Sequence, residues 1–221
     1  MKIARLSIAN YRGIKAAEFH FDGHALMVGA NNVGKSTICE ALDLVLGPDR
    51  LNRFPPVEEF DFYNAQYLTA PEVGGAEQQP ISIRIEVVLI ELSREVENRC
   101  GANLEFWNTA EQRVLSFGEA DAANPPAVVA CLRLETLARY NAEEDEFEAD
   151  TYFSHSPQAE DGELTPLRRH IKRLFGFLYL RALRTGSRAL SLEHGSLLDM
   201  ILRLKGVRTG LWEKAITRLR N

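Results

Sequence analysis

The chain has 221 residues, 45% of them hydrophobic and 26% charged, with a formal net charge of −5. This composition excludes a disordered, collagenous or disulfide-dense polypeptide. It holds no run of 18 apolar residues, so no membrane-spanning helix is expected, and its N-terminus alternates like a strand instead of resembling a secretion signal.

Ile3, Leu6 and Ile8 mark a first strand and Ala17 to Phe21 a second, with Asp22-Gly23 as the turn. His24 to Val28 is a short apolar run that reads as a buried strand. It feeds Gly29-Ala30-Asn31-Asn32-Val33-Gly34-Lys35-Ser36-Thr37, which fits the G-x-x-x-x-G-K-[ST] phosphate loop. The glycines let the backbone curl and aim its N–H groups at a polyphosphate. Asn31 and Asn32 tolerate the left-handed angles such a nest requires. A helix starting at Gly34 or Lys35 adds its positive end. In this arrangement Lys35 reaches the β- and γ-phosphates of ATP, Ser36 holds Mg²⁺, and Thr37 contacts the α-phosphate. Gly29, Asn31, Asn32, Val33, Gly34, Lys35, Ser36 and Thr37 are therefore the candidate nucleotide-binding residues.

Ile38, Ala41, Leu42, Val45 and Leu46 recur at helical spacing after the loop, and Gly47-Pro48 stops the helix. Residues 48–80 hold five of the nine prolines and Gly74-Gly75, so they read as loop. Ile81, Ile83, Ile85, Val87 and Leu89 alternate strictly. Leu104 to Asn108 pairs with Arg113 to Phe117, and Ala127 to Leu137 with Phe147 to Phe153, giving an antiparallel meander. Residues 154–163 are a polar linker. Thr165-Pro166 resembles a helix start, and a basic helix runs on to about Phe175. Phe177 to Leu180 is a strand candidate, and Ser196 to Leu204 and Leu211 to Leu219 have helical spacing.

Charge is uneven along the chain. Residues 141–163 carry nine acidic side chains and no Lys or Arg, whereas residues 164–221 carry 13 Lys/Arg against three Asp/Glu. The acidic run reads as a hairpin turn and a loop. The basic end is either a nucleic-acid contact or a set of solvated helix faces. Cys39, Cys100 and Cys131 are odd in number and lack C-x-x-C spacing. They read as buried or half-buried thiols in a reducing cytoplasm, not as a zinc site. His20, His24, His155, His170 and His194 are scattered and suggest no metal or nucleophile cluster.

A small GTPase is excluded by pattern. No Asp is followed three residues later by Gly, and no Asn-Lys or Thr-Lys pair is present to read guanine. The ABC-type ATPases of the SMC and RecF kind fit better. Asn10-Tyr11-Arg12-Gly13 followed by the phosphate loop at Gly29 resembles their opening. Within that class, Ile8 to Ile14 (IANYRGI), GANNVGKST, Glu58 to Phe62 (EEFDF) and Phe177 to Ser191 (FLYLRALRTGSRALS) resemble the N-terminal ATPase part of an OLD-family ATP-dependent endonuclease.

The resemblance implies an α/β fold, a P-loop NTPase of the ABC/SMC type with an antiparallel β-lobe. It divides the chain into a P-loop lobe (1–80), a β-lobe (81–153) and a basic helical segment with one strand (154–221). It implies ATP and Mg²⁺ as cofactors, and DNA and a second protomer as partners. It also places Arg12 near the nucleotide, where the residues alone allow a plain strand-end arginine. Asp61 is either close to the metal or a loop carboxylate. Gln66, Gln78 and Gln79 are all candidates for the glutamine loop. Arg181, Arg184 and Arg188 are candidates for DNA contact.

Two elements of an ABC-type ATPase are missing from the pattern. No apolar strand ends in Asp-Glu: Asp145-Glu146 lies in a polar turn, and Glu91 after Val-Val-Leu-Ile stands alone. Leu190-Ser191-Leu192-Glu193 only begins like the signature loop. The expectation is a partial ATPase domain that binds nucleotide with little hydrolysis. The rivals are an SMC/RecF-like repair ATPase without a nuclease and a non-hydrolysing nucleotide- or DNA-binding module.

Overall fold

Alternation along the strands builds the scaffold. In the computed structural model, which describes residues 1–31, 33–52, 54–70, 78–116, 118–119, 127–159 and 163–179, β1 (Lys2–Tyr11) and β2 (Ile14–His20) form a hairpin. A helix, α1 (Lys35–Leu46), follows. Then come β3 (Ile83–Ile90), α2 (Arg94–Cys100), β4 (Leu104–Asn108), β5 (Arg113–Leu115), β6 (Val128–Asn141), β7 (Glu146–Phe153) and α3 (Arg169–Leu174). The strands make one seven-stranded antiparallel sheet in the order β2-β1-β3-β6-β4-β5, with β7 also on β6.

The 14 residues of β6 explain the branching. One side pairs with β3. On the other side Leu132 meets Leu104 of β4, and Leu134 meets Phe153 of β7, so two strands share that side end to end. The two expected meander pairs are therefore present. However, β1 pairs directly with β3, with Leu6 opposite Val87 and Ile8 opposite Ile85, so the expected P-loop lobe and β-lobe share a single sheet. Residues Met1–Phe175 form one compact unit.

Period two gives the sheet two unlike faces. Leu6, Ile8, Ile83, Ile85, Val87, Leu132 and Leu134 are buried on one face, where α1 packs across β1, β3 and β6. The inward side chains of α1 are Ala41, Leu44, Val45 and Leu46, whereas Ile38 and Leu42 are only half-buried. The other face holds a small apolar cluster of Ala4, Val88, Trp107 and Cys131, with the Arg5 guanidinium 5.8 Å from the Trp107 ring centre. Beside it runs an ionic ladder. Arg5 bonds Glu86 at 2.6 Å, Arg133 bonds both oxygens of Glu105 at 3.0 and 2.8 Å, and Arg84 pairs with Glu135. Glu86 and Glu135 lie opposite each other across the strands, and the arginines offset that repulsion.

Four local expectations are corrected. The β1–β2 turn is Arg12-Gly13, with Tyr11 opposite Ile14. Asp22-Gly23 instead marks where the chain leaves the sheet, after Phe21 N–H bonds Ala4 O at 2.9 Å. His24 to Val28 is not a buried strand: Leu26 is 89% exposed and Val28 84%. Apolarity alone forms no strand without neighbours to complete its ladder. Thr165-Pro166 does not start a helix. Pro166 bridges Tyr152, Leu167 N–H bonds Thr151 O at 2.7 Å, and the segment extends the edge of β7, so α3 begins at Arg169. Phe177 to Leu180 is not formed as a strand either: Phe177, Leu178 and Tyr179 belong to no strand, and Leu180 lies outside the described residues, as do the last two predicted helices, Asn32, Arg181, Arg184, Arg188 and His194.

Candidate nucleotide site

Gly34 makes the loop-to-helix junction possible. It sits at φ 90° as the N-cap of α1, a backbone region that costs an L side chain about 1–2 kcal/mol. Among the described residues of the loop, the left-handed position is held by Gly34 and not by Asn31. No side chain caps this helix start, and the first turn holds no acidic residue. The leading N–H groups of α1 therefore keep their capacity for an anion. At the other end Gly47 is equally constrained. Its N–H bonds Asp43 O at 2.9 Å, and an added Cβ would run into that carbonyl.

Lys35 is aimed back over the loop. Its ammonium donates to Gly29 O at 2.8 Å and Ala30 O at 2.5 Å. That posture holds the positive charge against the carbonyls at the start of the loop. Ser36 and Thr37 occupy the first turn, Ser36 exposed and Thr37 half-buried. The side chain of Ile14 lies 4.0 Å from where a Cβ on Gly34 would sit, so the hairpin turn abuts the loop. Phosphates would be held by Lys35 and the backbone N–H groups, and Mg²⁺ by the Ser36 hydroxyl. This donor set fits both.

Arg12 and Asp61 are brought together, but not as expected. Arg12 Nε donates to Asp61 Oδ1 at 2.8 Å, and its Nη1 pairs with Glu40 on α1. Arg12 N–H also bonds Asp61 O at 2.8 Å. The second oxygen of Asp61 accepts Glu58 N–H at 3.1 Å, and the residue is buried. Each carboxylate oxygen carries one hydrogen bond, and in this arrangement Asp61 anchors Arg12. Glu40 was not a sequence candidate. Its only signal was a carboxylate four residues after Ser36, on the same helical face.

Beneath this ion pair Tyr11 is fully buried, and burial pushes its phenol up to about 12. Its hydroxyl has no hydrogen-bond partner among the described residues.

The glutamines have structural duties. Gln78 Nε2 bonds Thr69 O at 2.9 Å and Gln79 N–H bonds Thr69 Oγ1 at 2.9 Å, closing a small ribbon whose Leu68 bridges Pro80. Gln66 caps a short 3-10 turn and is exposed. Asp145 accepts the Tyr140 hydroxyl at 2.5 Å in the β6–β7 turn, and Glu91 pairs with Lys2 at 2.6 Å. No cluster of three or more His, Cys, Asp or Glu suited to a metal occurs among the described residues. The three cysteines are free thiols, with Cys100 and Cys131 buried and Cys39 half-buried.

The sequence profile of the AAA ATPase domain matches residues 1–164, spanning the hairpin, the loop helix and the whole sheet. The chain belongs to this family. As an AAA ATPase domain it is a mixed α/β, nucleotide-binding module. No helix among the described residues is long and apolar enough to cross a membrane. An uncharacterised protein of Mycobacterium bovis and uncharacterised proteins of two Mycobacterium tuberculosis strains are each 50% identical over 48 residues. The match covers 21% of this chain and 6% of each relative, so the chain spans a small part of their length.

Proposed function

We propose that this AAA ATPase domain binds ATP with Mg²⁺ at Gly29 to Thr37, in an ATPase of the SMC/RecF-like, ABC type. The carrying observation is α1 itself, a helix start with Gly34 at φ 90°, no side-chain cap, and Lys35 folded over the loop. The resemblance to OLD-family endonucleases gains support from the same place. Its IANYRGI and EEFDF segments meet where Arg12 bonds Asp61, and Arg12 also pairs with Glu40, three residues beyond GANNVGKST on α1.

On this reading the domain is the ATP-binding part of an ATP-dependent DNA endonuclease, with DNA and a second protomer as partners and a place in the cytoplasm. Hydrolysis calls for a water-activating carboxylate and a signature loop. The sequence carries neither an apolar strand ending in Asp-Glu nor a complete signature loop, so on this reading the chain binds ATP with little turnover. The rival, an SMC/RecF-like repair ATPase, shares the nucleotide site and differs in lacking nuclease activity.

Displacement of a fluorescent ATP analogue from the full chain tests the reading. ATP competes strongly and AMP weakly, because the loop reads phosphates. Equal competition by ATP and AMP, or no analogue binding, refutes it. Arg181, Arg184 and Arg188 predict DNA affinity that falls with salt, with a slope of about −0.9 per duplex phosphate contacted.

A further inference from the structure

We propose that Arg12 is a positioning residue of the nucleotide site: it fixes the first turns of α1 through Glu40 and anchors them to the buried Asp61. This rests on the ATP-binding reading above and assigns Glu40 and Asp61 a part in it.

The argument starts from the turn. Arg12 occupies a two-residue turn at φ 50°, a backbone region where a bulky residue persists only when its surroundings hold it. Here they do. The N–H and Nε of Arg12 both reach Asp61, at 2.8 Å each, and the guanidinium carbon lies 5.4 Å from the Tyr11 ring centre. Asp61 is a firm base because its other oxygen is bound at 3.1 Å by Glu58 N–H and its side chain is only 10% exposed.

The remaining arm of the guanidinium pairs with Glu40. Glu40 lies one helical turn beyond Ser36 and shares its face of α1. Three segments distant in sequence are thereby locked together: the hairpin turn, the loop helix and the Glu58 to Phe62 stretch. Arginine suits this role because its planar fork can serve two carboxylates at fixed angles, whereas a lysine ammonium is a single point charge. The phosphate-binding N–H groups and Lys35 sit at the end of α1 that this lock restrains. A displacement of the order of 1 Å there is enough to spoil phosphate geometry.

The test measures Mg-ATP affinity of the full chain by calorimetry, with the thermal midpoint recorded for every variant. Arg12→Ala and Glu40→Gln are each expected to weaken ATP at least tenfold. The double variant is expected to be no weaker than the poorer single variant, and Arg12→Lys to recover only part of the loss. Glu40 is half-buried and at a helix surface, so Glu40→Gln is expected to keep its thermal midpoint. Should it unfold, Glu40→Asp, which shortens the carboxylate by one methylene, is expected to reproduce the loss in a folded protein.

Unchanged or tighter ATP binding in folded Glu40→Gln or Glu40→Asp, beside a loss in Arg12→Ala, overturns positioning and makes Arg12 a direct ligand of the nucleotide. Unchanged affinity in Arg12→Ala removes any role. In both cases binding by the unsubstituted chain stands. Failure of the unsubstituted chain to bind ATP overturns the nucleotide reading itself, and this proposal with it.

Discussion

Lys172 is a charge held in the interior at a cost, and its replacement has a calculable effect. It lies on α3, 4% exposed, with its ammonium donating to Thr151 Oγ1 at 2.9 Å. Burial pulls it down from 10.5 to about 8, and the negative charges of Asp43 and Asp150 oppose that shift only in part. At about 1.4 kcal/mol per pH unit, holding the charge inside at neutral pH costs about 3 kcal/mol relative to an unfolded lysine. Between pH 8 and 10.5 the unfolded chain binds more protons than the folded one. Stability from this group therefore rises with pH across that window, and the full penalty is present below pH 8.

Lys172→Met removes the charge and keeps the aliphatic bulk. It forfeits one hydrogen bond, worth about 1 kcal/mol, but Thr151 keeps its bond to Thr136 at 2.8 Å. The net expectation is a gain of about 2 kcal/mol at pH 7, shrinking as pH approaches 10.5. Urea unfolding followed by circular dichroism at pH 7, 8.5 and 10 reads this directly. A variant less stable than the parent at pH 7, or a difference that does not change with pH, refutes a desolvated lysine at this place.

Tyr11→Phe deletes a buried hydroxyl that has no partner among the described residues. It should leave stability equal or raise it by about 1 kcal/mol in the same unfolding assay. Gly47→Ala pushes a methyl into Asp43 O and should lower the thermal midpoint by several degrees. Trp107→Ala empties the second apolar cluster and loses the Arg5 contact, an expected cost of about 3–5 kcal/mol in urea. Burial pushes the Cys131 thiol up to about 12 and raises that of Cys100 as well. A thiol reagent at pH 8 should therefore label Cys39 first and reach the other two only on unfolding, as peptide mapping would show.

Local chemistry made much of this fold legible in the sequence. Gly34 and Gly47 bound α1 where the phosphate loop and the Gly47-Pro48 stop predicted, and the alternation from Ile83 to Leu89 became β3 at the centre of the sheet. The misreadings share a cause. His24 to Val28 was read from apolarity, yet a strand also needs partners, and its side chains are exposed. Asp22-Gly23 carried a stronger turn signal than Arg12-Gly13, but register places the hairpin turn at the latter. Thr165-Pro166 matched a helix start, while Thr151 and Tyr152 captured that segment as an extension of β7. The Arg12–Glu40–Asp61 lock was invisible for the same reason. Its members are 28 and 49 residues from Arg12, and no local pattern links them.

Calorimetric titration of Mg-ATP into the full chain and into Lys35→Ala is the most direct test of the nucleotide site. Lys35 is expected to contribute a charge-assisted contact of about 1.5–3 kcal/mol, or roughly ten- to a hundredfold in affinity. Measurable binding to the parent, and loss of that magnitude in a variant with an unchanged thermal midpoint, is the predicted result. The same ATP affinity in both proteins would contradict a phosphate site at Gly29 to Thr37.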